Sequence, residues 1–136
     1  MVDLRGSEKQ IAWAEEIRNK LAIEIKNDIT NLDVEITTID PQRKKFKSYK
    51  ILLELYKKFE NFIYNIDESP FFISKRREEA KDIFLDYIAC NHYEVGLEHA
   101  GMFSRYFYYS LRYFNYYITD IKEYKEKYNI TRKNIL

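Results

Sequence analysis

Residues Met102 to Tyr117 read MFSRYFYYSLRYFNYY, and the fold of the chain turns on how that stretch is read. At about 100° per residue, Phe103, Phe107, Leu111, Phe114, Ile118 and Ile121 fall on one helical stripe, and Tyr106, Tyr109, Tyr113 and Tyr116 form a second beside it. Arg105, Arg112, Asn115, Thr119 and Lys122 are left for the opposite side. The two aromatic stripes together span more than half of the circumference, wider than a helix lying on one flank of a core needs. Such a helix is either central in a bundle or covered by a partner. The pattern predicts an all-α fold: a single-domain bundle of about four helices over residues 1–136, with an aromatic-rich C-terminal helix from about 97 to 127.

Composition agrees with long helices. The chain holds 13 Tyr and 9 Phe against only 3 Gly and 2 Pro, so breakers are few and large side chains plentiful. Codon drift in AT-rich DNA accounts for part of the tyrosine excess. Lys plus Arg number 23 and Asp plus Glu 22, so a net charge of +1 supplies no global field for nucleic acid, and any electrostatic role is local. The lone cysteine, Cys90, excludes an internal disulfide. The opening MVDLRGSEKQ has no signal-like apolar run, and no stretch approaches the roughly 18 apolar residues of a membrane span. A cytoplasmic protein is expected.

Ser7, three residues before Gln10, forms the pattern of a capping box and predicts a helix from about 7 to 28, with Ile11, Ala14, Ile17, Leu21 and Ile25 on its buried stripe and Trp13 at its flank. This opening, LRGSEKQIAWAEEIRNKL, resembles the start of short proteins from phages, plasmids and other mobile elements of low-GC Gram-positive bacteria. They share GSEKQ, an apolar residue, AWAE and IR. The matching residues here are Gly6 to Gln10, Ala12 to Glu15, Ile17 and Arg18, within a stretch of about an eighth of the chain. The resemblance carries over no catalytic residue.

Leu32, Val34 and Ile36 alternate with Asp33, Glu35 and Thr37, which suits an extended segment, isolated or paired across a dimer. Asp40 and Pro41 read as N-cap and first position of a helix from about 41 to 66, with Phe46, Tyr49, Leu53, Tyr56, Phe59, Ile63 and Ile66 as its stripe. Ser69 and Pro70 repeat that signal for a helix from about 70 to 93, buried through Ala80, Ile83, Phe84, Tyr87 and Ile88.

Two basic clusters fall near helix starts, where the macrodipole favours anions: Arg43, Lys44, Lys45, Lys47 and Lys50, then Lys75, Arg76 and Arg77. They are candidate anion-binding residues, with a solvated lysine-rich face as the plain alternative. No glycine-rich phosphate loop, CxxC, HExxH or GxSxG is present. Ligand-type side chains gather only at Cys90, His92, Glu94, Glu98 and His99, a spacing that does not make a metal site. The Arg four to six residues before a His that marks small helical ribonucleases precedes neither histidine. Glu15 and Glu16 diverge by about 100° and do not converge as an acid–base pair.

No cofactor and no catalytic constellation is therefore expected. The favoured reading is a non-enzymatic interaction protein of a phage or mobile element, such as an inhibitor of a host defence system that occupies a protein surface or sequesters a ligand. Its contact row would be Tyr106, Tyr109, Tyr113 and Tyr116, flanked by Arg105 and Arg112, with a protein partner or a second copy of the chain as homodimer mate. The alternative is a nucleotide or nucleic-acid module that stacks bases on tyrosines and holds phosphates with the basic clusters.

Overall fold

The computed structural model describes residues 1–92 and Val95, and in this part the chain is all-α, with four helices. The aromatic helix expected over 97–127, its tyrosine row and His99 lie outside the described residues.

Helix α1 spans Glu8–Thr38 and opens on the expected capping box: Gln10 N–H donates to Ser7 Oγ at 3.2 Å, and Ser7 N–H to Gln10 Oε1 at 3.1 Å. These two bonds satisfy amides that the first helical turn leaves without partners. Gly6 precedes the cap at φ +144°, a conformation that side chains disfavour. A Cβ there would meet Gln10 Oε1 at 2.9 Å and Ser69 Oγ at 3.3 Å, so the glycine is needed where it stands.

Upstream of the cap, the first residues run beside the segment that joins α2 to α3. Val2 N–H donates to the Tyr64 carbonyl at 2.9 Å, Arg5 N–H to Asp67 at 2.6 Å, and Ser69 N–H to Arg5 at 3.3 Å. Leu4 is buried, while Arg5 Nε pairs with Asp67 at 2.9 Å on the surface. From α1 the buried Arg18 donates to the Val2 carbonyl at 2.6 Å, tying the strap down from below.

The chain does not leave α1 near Asp28; it stays helical to Thr38, and the expected extended segment at 32–37 is its last two turns. Ile25, Ile29, Leu32 and Ile36 recur at spacings of four, three and four, and Leu32 is fully buried with Ile29 and Ile36 packed against the core. Val34, the middle member of the apparent alternation, is 59% exposed. Helical spacing decided the burial, and the period of two was coincidental.

The chain reverses through 39–43 into α2, Lys44–Tyr64, which runs antiparallel to α1: Lys26 pairs with Glu60 at 3.3 Å and, further along, Asp28 accepts from Tyr56 Oη at 3.3 Å. Asp40 does not cap this helix. Its Oδ1 takes the Gln42 amide at 3.0 Å in a local turn, so the helix starts at Lys44, three residues later than the Asp–Pro pair suggested. Tyr49, Leu53, Tyr56, Phe59 and Ile63 are buried as the stripe requires, joined by Leu52, Leu55 and Phe62.

The helix expected from 70 to 93 is two helices. Short α3, Ser69–Ser74, ends at Lys75, and after a turn α4 runs Ala80–Asn91. Glu79 begins α4 by a reciprocal bond pattern with Asp82, whose Oδ2 accepts the Glu79 amide at 3.3 Å. The run KRREE, which the expected helix carried without interruption, is the break itself. In α4 every residue from Ile83 to Cys90 is buried, so this helix is enclosed on all sides rather than along one stripe.

Aromatic rings join the elements. Tyr56 of α2 stacks on Phe84 of α4 with centroids 4.0 Å apart, Phe59 lies 5.4 Å from both Phe84 and Tyr87, and Phe62 bridges Tyr87 at 5.0 Å to Phe71 at 6.4 Å. Such pairs add about 0.5–1.5 kcal/mol each beyond the area they bury.

Candidate interaction surface

The two basic clusters have different fates. Arg43, Lys44, Lys45, Lys47 and Lys50 are all exposed at the start of α2, which has no acid in its first turn and no side-chain cap. Lys45 Nζ stands 5.1 Å from the ring of the buried Tyr49 and Lys50 Nζ 5.3 Å from that of the half-buried Phe46, so both exposed lysines hold their ammonium groups near an aromatic ring.

The second cluster is divided. Lys75 is not on the surface. It points inward at 7% exposure, with Nζ 3.3 Å from Glu78 and 3.6 Å from Asp86, because the turn that ends α3 directs it under α4. Arg76 and Arg77 remain outside. The Arg76 guanidinium sits 5.6 Å from the Trp13 ring centroid and donates to the Ile73 carbonyl at 3.0 Å. Trp13 is 47% exposed, so this stack between α1 and the turn after α3 lies on the surface. The sequence pattern puts Trp13 on the flank of its helix and Arg76 in an anion cluster with nothing to join them; only the packing of α1 on α3 brings them together.

Asp86 is the other group that reading passed over. Burial pushes its carboxyl up to about 7, against the opposing pull of Lys75, and its Oδ1 has no hydrogen-bond partner. The signal was present in IFLDYIAC, an acid inside an otherwise apolar helical run. The tyrosine that follows it, Tyr87, is pushed by burial to about 12. Its hydroxyl lies 3.2 Å from His92 Nε2, and burial together with Lys58 holds the His92 imidazole below its ordinary range.

A groove of about 290 Å³ lies between α1 and the start of α4, lined by Glu24, Asn27, Asp28, Glu79, Ala80 and Lys81. Its acids are tied to the fold. Glu24 accepts the Ala80 amide at 2.7 Å and pairs with Lys20 at 3.8 Å, Glu79 pairs with Lys81 at 3.6 Å, and Asp28, raised by burial, holds the Tyr56 hydroxyl. Among the described residues no three His, Cys, Asp or Glu gather as metal ligands would, and no helix is long and apolar enough to cross a membrane. Of the five ligand-type residues around Cys90, only Cys90 and His92 are described; the Cys90 thiol is buried. Tyr106, Tyr109, Tyr113 and Tyr116, with Arg105 and Arg112, lie outside the described residues.

The opening stretch GSEKQIAWAEEIR is thus largely architectural here. Gly6, Ser7 and Gln10 build the helix start, Ala14 and Ile17 face the core, and Arg18 holds the N-terminal strap, whereas Trp13 faces out. Comparison with protein-family models, curated proteins and solved structures found no match.

Proposed function

We propose that this chain is a non-enzymatic, cytoplasmic interaction protein of a phage or mobile element, which inhibits a host defence system by occupying a protein surface or sequestering a ligand. One observation carries the reading: among the described residues several buried and half-buried polar groups tie the fold together, while the one tryptophan is half-exposed beside an arginine. Arg18 with Val2, Lys75 with Asp86, and Asp28 with Tyr56 each join two parts of the same fold, and Tyr87 meets His92 at the end of α4. Groups committed in this way hold a scaffold together. Exposed Trp and Arg, by contrast, are the residue types that dominate binding energy at protein interfaces.

The opening motif and the tyrosine row Tyr106, Tyr109, Tyr113 and Tyr116 support the same reading, the row as a contact face for a protein partner or for a second copy in a homodimer. Phage challenge of bacteria expressing the chain tests it. Plating should rise by orders of magnitude in a host that carries the targeted defence system and stay unchanged in a host without it. Unchanged plating across a broad set of defence systems, with the protein present and folded, overturns the proposal. The alternative of nucleotide or nucleic-acid binding rests on the uncapped, acid-free first turn of α2 with Lys44, Lys45 and Lys47. It requires salt-sensitive oligonucleotide binding that Lys44→Glu with Lys45→Glu abolishes.

A further inference from the structure

We infer that Trp13, Arg76 and Arg77 form a docking point for an acidic segment of a partner protein, an inference that rests on the interaction-protein reading and names the chemistry of its partner. Three features of the surface point there. Arg76 is fixed on two sides, by the Ile73 carbonyl at 3.0 Å and by the Trp13 ring at 5.6 Å, so little side-chain freedom remains to be lost when it binds. The neighbouring acids are engaged elsewhere, Glu78 with Lys75 at 3.3 Å and Glu79 with Lys81 at 3.6 Å. That leaves Arg76 and Arg77 exposed and without an ion pair among the described residues, and Lys9 adds a further exposed cation one turn before Trp13 on α1.

A half-exposed indole beside two adjacent guanidinium groups is complementary to an extended segment that offers carboxylates next to an apolar side chain. The carboxylate takes the free edge of the Arg76 fork in paired hydrogen bonds, Arg77 takes a second acid, and the apolar side chain covers the indole. A nucleic acid would need phosphate contacts along a longer basic track, and Glu16, exposed on α1 one turn after Trp13, interrupts one here.

Trp13 is the sole tryptophan, so its fluorescence reports on this point alone. The full chain is titrated at low salt with a synthetic peptide in which Asp and Glu alternate with Leu, with the matching Lys peptide, and with oligothymidylate of equal charge. A saturable change is expected with the acidic peptide only, weakened about tenfold or more by Arg77→Glu, which leaves the Trp13–Arg76 stack in place, and weakened by added salt. Absence of a saturable change, equal response to the Lys peptide, tighter binding of the oligonucleotide, or an Arg77→Glu variant with unchanged affinity each overturns the inference. Phage plating by the parent chain, set beside the titration, separates the two proposals. Plating that the parent promotes while the peptide fails to bind removes the docking point and leaves the function standing; peptide binding without any effect on plating does the reverse.

Discussion

Helices α1 and α4 solve the same problem in opposite ways. α1 has 31 residues and buries only a stripe of them, among them Ala14, Ile17, Leu21, Ile25 and Leu32, so it lies along the outside of the bundle. α4 has 12 residues and is buried without interruption from Ile83 to Cys90, including the acid Asp86. A long helix can be stabilised from one side by periodic contacts and by its cap, whereas a short one depends on being surrounded. The difference predicts where changes are felt.

The largest effect is expected in α4. Phe84 is fully buried against Tyr56 and Phe59, and Phe84→Ala should cost about 3–5 kcal/mol in chemical denaturation, because the rings around it cannot close the cavity. A cost near that of a surface change would mean that α4 is not enclosed.

Asp86 comes next and sharpens the comparison through pH. Its folded-state carboxyl stands near 7 against an ordinary 3.8, so the native state holds a proton that the unfolded chain releases. Its contribution to stability is present below about pH 4 and is lost as pH rises toward 7. Asp86→Asn mimics the protonated form and leaves His92 and Asp28 to titrate alike in both proteins. Its stability relative to the parent should therefore grow by roughly 3 kcal/mol between pH 4 and pH 8. A difference that does not change with pH would show that Asp86 is solvated.

At the start of α1 the expected effects are smaller. Gly6→Ala should cost about 1–3 kcal/mol, since it strains the backbone and pushes on Gln10, while Ser7→Ala should cost about 1 kcal/mol by removing one capping bond. Both are read from denaturation midpoints. Least of all is Val34→Ser on the outer side of α1, expected within about 0.5 kcal/mol with helical circular dichroism unchanged. A large loss there would restore the extended, paired reading of residues 32–37.

What was legible in the sequence followed from local rules. The all-α class, the capping box at Ser7 and Gln10 and the α2 stripe depend on neighbours three and four residues apart, and each appears in the structure. Misreadings arose where a distant partner decided. Residues 32–37 alternate by chance, and α2 lying alongside selects Leu32 and Ile36 instead of Val34. The Ser69–Pro70 signal did mark a helix start, but the charged run after it hid a break, because Lys75 is drawn inward to Asp86, eleven positions away. Glu79 is also an unusual N-cap, so no familiar signature announced α4. Of the candidate site, the arginines and Trp13 were each visible as residues, but their juxtaposition was not, because they stand on different elements.

Helix α4 is the enclosed element and the end of α1 a peripheral one. Native-state hydrogen exchange resolved by residue tests it most directly. Amides from Ile83 to Cys90 should exchange only through global unfolding, while those from Asp33 to Thr38 open locally at much lower free energy. Equal protection in the two segments, or faster exchange in α4, would mean that α4 is not the enclosed element.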